Sequence, residues 1–271
     1  MNNLKNAITT ISIYPLCPQS TPQIRENIIQ NLFINRNIIK EMDVSTAFDN
    51  WPSQEDCPLE TAKIIVGNAD NTPMTHVANE DLEMVIKLAN KDKPLQFWLE
   101  IGSFVGGSAI RTAKVMNQLG LNADTTTIMC IDTFLGSDRL LWLHDTNGEY
   151  KNNHNCGRRM MLDQDGSPRI LKQFVKNVRD NNFDEQILAF PTTSISGIYA
   201  FLNADESMNL PVPDVIYLDS AHAKDETLQE LELAWKLLPE DGILVGDDWT
   251  FDEVAQDLLK FATMYEDELD D

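Results

Sequence analysis

The stretch Trp98-Leu99-Glu100-Ile101-Gly102-Ser103-Phe104-Val105-Gly106-Gly107-Ser108 constrains this chain more than any other. The apolar run Leu95 to Ile101 reads as a short buried strand with Glu100 near its end. Glycines at 102, 106 and 107 make a turn, and Ser108 to Leu119 is helical in character. A strand feeding a glycine-rich turn and a helix opens a nucleotide-binding α/β fold. Glycine frees the backbone and lets a ligand come close. The helix start offers N–H groups, and a strand-end carboxylate accepts hydrogen bonds from a ribose or an amine. The spacing, Glu-x-Gly-x-x-x-Gly-Gly-Ser, is wider than the dinucleotide fingerprint and has an acid before its first glycine. Taken alone, it equally fits a strand–turn–helix whose glycines serve packing.

The rest of the chain repeats the unit. Thr127 to Asp132 is a second buried strand ending in an acid, about thirty residues after Glu100, the length of one βαβ unit. Glu185 to Phe190 is a third, followed by Pro191-Thr192-Thr193-Ser194, whose hydroxyls suit an adenine edge or a helix cap. Asp214 to Asp219 is a fourth, running into Ser220-Ala221-His222, and Gly242 to Asp248 is a fifth. Helical faces lie between them at Leu171–Val178, Ile195–Asn203, Asp225–Leu238 and Glu253–Met264. Acids therefore end the strands at Glu100, Asp132, Asp219 and Asp247/Asp248, and in an open parallel sheet those ends share the ligand-binding edge. The reading is a Rossmann-like, doubly wound α/β fold with a mainly parallel sheet of five readable strands.

Residues 1–75 read as an N-terminal extension or lid, with one amphipathic helix over Ile24 to Met42, and 76–271 as the main domain. Asn79 to Asn90 is a helix beside the first strand. An insertion at about 138–168, carrying His144, His154, Arg158 and Arg159 without metal-ligand spacing, reads as a substrate-side loop.

Composition narrows the partners. The 271 residues are 42% hydrophobic, enough for a full core, and carry a net charge of −22. Such a surface repels phosphate backbones and argues against nucleic acid. Cys17, Cys57, Cys130 and Cys156 form no C-x-x-C pair. No apolar run reaches the ~20 residues of a membrane span, and no secretory leader is evident, so a cytoplasmic protein is expected.

With these segments in order, the chain from Trp98 to Phe261 resembles class I S-adenosylmethionine-dependent methyltransferases, closest to the cephalosporin-hydroxylase-like and macrolide-sugar O-methyltransferase branch. The matching pieces are Leu99-Glu100-Ile101-Gly102-Ser103 with Gly106 and Ser108, Cys130-Ile131-Asp132-Thr133-Phe134-Leu135-Gly136-Ser137, Phe190-Pro191-Thr192-Thr193-Ser194, Leu218-Asp219-Ser220-Ala221-His222 and Val245-Gly246-Asp247-Asp248-Trp249. The resemblance implies that Glu100, Gly102 and Gly106 cradle the methionine end of S-adenosylmethionine, with Ser103 and Ser108 also in the cofactor site. It implies that Asp132 holds the ribose, with Thr133 and Phe134 near the adenine and Ser194 at its edge. It matches Asp219, Asp247 and Asp248 to the magnesium ligands of metal-dependent relatives, with Asp219 and His222 as catalytic groups.

The implied activity is methyl transfer to an oxygen of a small molecule or sugar, with Mg²⁺ assistance left open. The family's sheet ends with a sixth strand and an antiparallel seventh, which the acidic end Met264 to Asp271 does not supply; an uncovered edge leaves a homo-oligomer open. Two rivals stand beside this reading: a nicotinamide-dependent oxidoreductase on a similar sheet, and a non-catalytic cofactor-binding scaffold.

Overall fold

The computed structural model describes residues 20–32, 37–45, 47, 75, 77–136, 166–204, 208–220 and 222–266. The insertion up to residue 165, with its histidines and arginines, lies outside these residues, as do Ser137, Cys17, Cys57, Cys156, most of residues 1–75 and the last five residues.

Five parallel strands, β1 (Phe97–Ile101), β2 (Thr127–Asp132), β3 (Ile187–Pro191), β4 (Val215–Leu218) and β5 (Ile243–Gly246), form a sheet in the order β3-β2-β1-β4-β5. Side chains alternate between its two faces, and each face has its own core. Trp98, Ile128, Cys130, Ile187, Ala189, Val215 and Tyr217 point to one; Phe97, Leu99, Ile101, Met129, Ile131, Leu188, Ile216 and Leu218 point to the other. Both layers being covered, the central strands read as continuous apolar runs rather than alternating ones. Cys130 is a buried free thiol.

The first face is covered by α3 (Asn79–Ala89), α4 (Gly107–Gln118) and α5 (Arg169–Asp180), whose Leu82, Ile86, Ile110, Met116, Phe174 and Val178 fill it. The second is covered by α6 (Ser194–Leu202), α7 (Glu226–Leu237) and α8 (Asp252–Met264), through Ile198, Phe201, Leu231, Ala234 and Phe261. Among the described residues no helix is long and apolar enough to cross a membrane.

The expected single helix over Ile24–Met42 is two helices, α1 (Thr21–Leu32) and α2 (Ile38–Glu41). Asn37 is the reason α2 starts afresh: its backbone is extended (φ −91°) and its side chain accepts from the Ile39 amide. The two pieces straddle the β3 edge. Ile24 and Ile28 of α1 join the second core, while Ile39 of α2 joins the first. Glu185, just before β3, ties them together: Arg25 of α1 donates to its carbonyl and Lys40 of α2 pairs with its carboxylate. Arg179 Nε donates to the Ile39 carbonyl at 2.5 Å. The described part of the extension thus packs on the sheet.

Candidate functional site

The sheet order reverses beside β1, whose neighbours are β2 and β4, so the C-terminal ends of these strands diverge into a crevice. There the structure holds a cleft of about 640 Å³ lined by Gly102, Ser103, Ser108, Asp132, Thr133 and Ser194 on one side and by Asp219, His222, Asp247 and Asp248 on the other.

On the first side the β1 and β2 loops are braced by one carboxylate. Asp132 Oδ2 accepts from the Ser103 and Phe104 amides at 2.9 and 2.8 Å, and Oδ1 accepts from the Phe134 amide at 2.5 Å. Phe104 (φ 43°) and Phe134 (φ 54°) are both in the left-handed region, which non-glycine residues enter only when their surroundings hold them there. Burial pushes the Asp132 pKa up, and these amides pull it part of the way back. With three acceptor positions taken, the carboxylate keeps about one of its roughly four lone-pair sites for a ligand hydroxyl.

The glycines also serve packing, the other role the sequence allowed. Gly102 (φ 87°) faces protein: a Cβ there would lie 2.1 Å from the Asp219 carbonyl oxygen. Gly106 (φ 88°) would put one 3.1 Å from the Phe174 ring. Both are needed for the turn and for close packing of the β4 loop and α5.

Glu100 is fully buried, and its Oε1 accepts from the Ser108 hydroxyl at 2.8 Å. Burial pushes its pKa up to about 7 against the pull of the Ser108 and Ser103 hydroxyls. Its Oε2 and the Ser103 hydroxyl are buried without a partner in hydrogen-bond geometry. Neither Glu100 nor Gly106 lines the cleft; Glu100 sits beneath its floor. Phe134, expected near the adenine, is instead fully buried, packed edge-on against Phe174 at 5.1 Å. Its positive φ turns the ring into the core. Thr193 caps α6 by accepting from the Ser196 amide, which leaves Ser194 as the first helical residue, on the cleft wall.

On the second side acids meet one another. Asp219 follows β4 and is pushed up to about 8, by burial first and then by the charges of Asp247, Asp248, Glu100 and Asp132. His222 Nε2 and Asp248 Oδ2 are 2.6 Å apart, with Asp248 at φ 58°. Ligand atoms of Asp219, His222 and Asp248 lie within 4.8 Å of one another. Asp247, expected among the metal ligands, is outside this cluster among the described residues. Its Oδ2 accepts from the Tyr217 hydroxyl at 2.6 Å and its Oδ1 from the Asp248 amide at 2.7 Å.

Three groups escaped the sequence reading. Tyr217 looked like one more apolar strand residue, yet burial and the neighbouring carboxylates hold its phenol far above its usual pKa, so it acts as a donor. Ser220 donates to Glu230 at 2.7 Å, and Glu230 is only 4% exposed. The signal was present in α7: Thr227, Glu230, Leu231 and Ala234 share the core-facing stripe, and a lone acid there needs a partner.

A Rossmann-like domain with a cleft at its switch point and acids at the strand ends is the class these features define. A family model described as a methyltransferase domain matches residues 99–249, and the chain belongs to that family. The resemblance drawn from the sequence is thus confirmed at the level of the family, and the nicotinamide oxidoreductase alternative falls. A search of curated proteins found no match. Similar solved structures include an O-methyltransferase from Bacillus cereus in complex with SAH (12% identity, covering 98% of this chain and 86% of that one, TM-score 0.44). Another is the O-methyltransferase TomG from Streptomyces achromogenes, involved in tomaymycin synthesis and solved with SAM (14%, 90% and 86%, TM-score 0.47). A third is the O-methyltransferase NovP (12%, 91% and 92%, TM-score 0.48).

Proposed function

We propose that this protein transfers a methyl group from S-adenosylmethionine to an oxygen of a small molecule or sugar. The observation that carries the reading is that one cleft joins the Asp132-braced loops to the Asp219–His222–Asp248 cluster. Its volume, about 640 Å³, is in the range of cofactor sites. The cofactor supplies a methyl carbon on a positively charged sulfur, which the acceptor oxygen displaces in line.

In this reading the Gly102–Ser103 turn and Asp132 receive the methionine and ribose parts, and Ser194 the adenine edge. His222 takes the acceptor's proton. With Nε2 donating to Asp248, Nδ1 is the accepting atom and Asp248 fixes the ring. Catalysis then rests on holding the acceptor oxygen in line with the methyl carbon and removing its proton.

A divalent cation fits the donor set. Two carboxylates converge beside the imidazole, and a cation would offset both the burial and the repulsion that raise Asp219. Asp219 and Asp248 would hold it, leaving Nδ1 of His222 free for the proton, and it would lower the pKa of the acceptor hydroxyl. An acceptor without phosphates suits a chain of net charge −22.

Calorimetric titration with S-adenosylhomocysteine, with and without Mg²⁺, tests the reading. Micromolar binding by the wild type, weakened at least tenfold in a folded Asp132→Asn variant, is the expected result. Absence of heat from folded wild type overturns it. Binding without methyl transfer to any of a broad panel of hydroxyl acceptors would support the non-catalytic scaffold instead.

A further inference from the structure

Beside the cleft lies a second cavity, of about 280 Å³, between α7, α8 and the end of β5. Its walls are apolar: Leu231 and Trp235 from α7, Leu244 from β5, and Leu258 and Phe261 from α8, with Trp249 at the rim. The Trp235 and Phe261 rings meet edge-on at 5.9 Å and make one aromatic wall. Trp249 is 68% exposed, a large aromatic surface left in water at the mouth of an apolar space. The two cavities share Asp219, Ser220, His222, Glu230 and Asp247. The charged groups of the second cavity are thus at the end where it meets the first, with Glu230 and the hydroxyl of Ser220 as the threshold, and elsewhere its polar atoms are those of Thr227 and the two indoles.

We propose that this side cavity receives the apolar body of the methyl acceptor, a hydroxylated aromatic of one or two fused rings, with its reactive oxygen at Asp219 and His222. The inference rests on the methyltransferase reading and adds the acceptor's class to it. The size is close to the lower end of the roughly 300–1,000 Å³ of small-molecule sites. A peptide helix, about 10–12 Å across, is too wide. A sugar ring would strand several hydroxyls against Leu231, Leu244 and Phe261 without partners. A flat ring loses nothing there and gains edge and face contacts with the aromatic wall.

The test uses the full chain, the probes 2-naphthol and 2,3-dihydroxynaphthalene, and methyl glucoside as the polar comparison. Binding is followed by tryptophan fluorescence with and without S-adenosylhomocysteine, and methylation from S-adenosylmethionine by mass spectrometry. Leu258→Trp fills the cavity from a position 40% exposed, which the fold can accommodate. Trp249→Ala removes the rim. The expected result is that the naphthols bind at least tenfold tighter than the glucoside and are methylated. Leu258→Trp then lowers naphthol affinity and kcat/KM at least tenfold while S-adenosylhomocysteine affinity stays within twofold, and Trp249→Ala weakens naphthol two- to fivefold.

The proposal is overturned if Leu258→Trp, folded and binding S-adenosylhomocysteine, leaves naphthol affinity unchanged. It is overturned equally if the glucoside binds as tightly, or if the naphthols occupy the cavity and neither is methylated. Failure of the wild type to bind S-adenosylhomocysteine removes the methyltransferase reading itself, and with it the acceptor assignment, even if naphthol still binds.

Discussion

Asp132 ends one of the two strands that flank β1 and Asp219 follows the other, and the protein surrounds them differently. Asp132 is met by three backbone amides from two loops, which hold it in place and offset part of the cost of burying it. Asp219 is met by Asp247, Asp248, Glu100 and Asp132, all of its own sign. One end of the cleft is complete as the chain folds. The other is left with excess negative charge that a proton or a cation must balance. The same residue type at equivalent strand ends is a brace on one side and a receptor on the other, and the number of donors within reach decides which.

Removing the two carboxylates should therefore change stability in opposite directions. Asp132→Ala leaves three buried or half-buried amides unpaired and releases Phe104 and Phe134 from left-handed conformations. A loss of about 3 kcal/mol or more is expected in urea unfolding. A loss below about 1 kcal/mol would mean that the loops hold themselves and that Asp132 is there for the ligand alone.

Asp219→Asn should stabilise, by an amount that depends on pH. The folded Asp219 pKa, about 8, is above the ordinary value of 3.8. The stability that comes with the protonated form is fully present below about pH 4 and is lost as pH rises through about 8. The variant's advantage therefore grows across that window and levels off above it, reaching on the order of 2 kcal/mol once solvent screening is allowed for. Glu100, raised from 4.5 to about 7, adds a slope of the same sign to both proteins. Equal unfolding free energies from pH 5 to 9 would show that water or a donor neutralises Asp219.

The first side of the cleft was more legible in the sequence than the second, for a physical reason. Glu100, Gly102 and Ser108 lie within one strand–turn–helix, so local spacing fixes their arrangement, and the five strands announce themselves as apolar runs. Asp132 was placed correctly at its strand end, but its amide partners follow from the positive φ of Phe104 and Phe134, which no propensity foretells. Phe134 has its ring in the core rather than on the cleft wall because of that same φ. On the second side, the choice between Asp247 and His222 as the third member of the cluster depends on the Tyr217 hydroxyl, thirty residues away in the chain. Tyr217 sits on an interior strand where sequence sees only an aromatic. The break between α1 and α2 was missed because the amphipathic period continues across it.

A smaller effect comes from filling the receptor side. Mg²⁺ at ten times its dissociation constant should stabilise the wild type by about 1.4 kcal/mol, by mass action. Asp219→Asn and Asp248→Asn should lose that gain, and Asp132→Asn should keep it. Thermal unfolding at pH 8 with Mg²⁺ titration reads all four proteins. A gain in wild type that survives in Asp219→Asn would move the cation away from the cluster.

The smallest effect sharpens the comparison most. Asp247 has a buried side-chain donor, the Tyr217 hydroxyl at 2.6 Å. Tyr217→Phe removes that donor and keeps the ring that stacks on Trp98 at 6.3 Å. Loss of this one hydrogen bond predicts about 1 kcal/mol of destabilisation at pH 8. Without its brace Asp247 turns toward the cluster as one more ligand. The Mg²⁺-induced rise in Tm should then be larger in the variant than in the wild type, although the variant starts lower. If instead the rise is unchanged, Asp247 is held by the Asp248 amide alone, and the cluster of Asp219, His222 and Asp248 is closed to a fourth member.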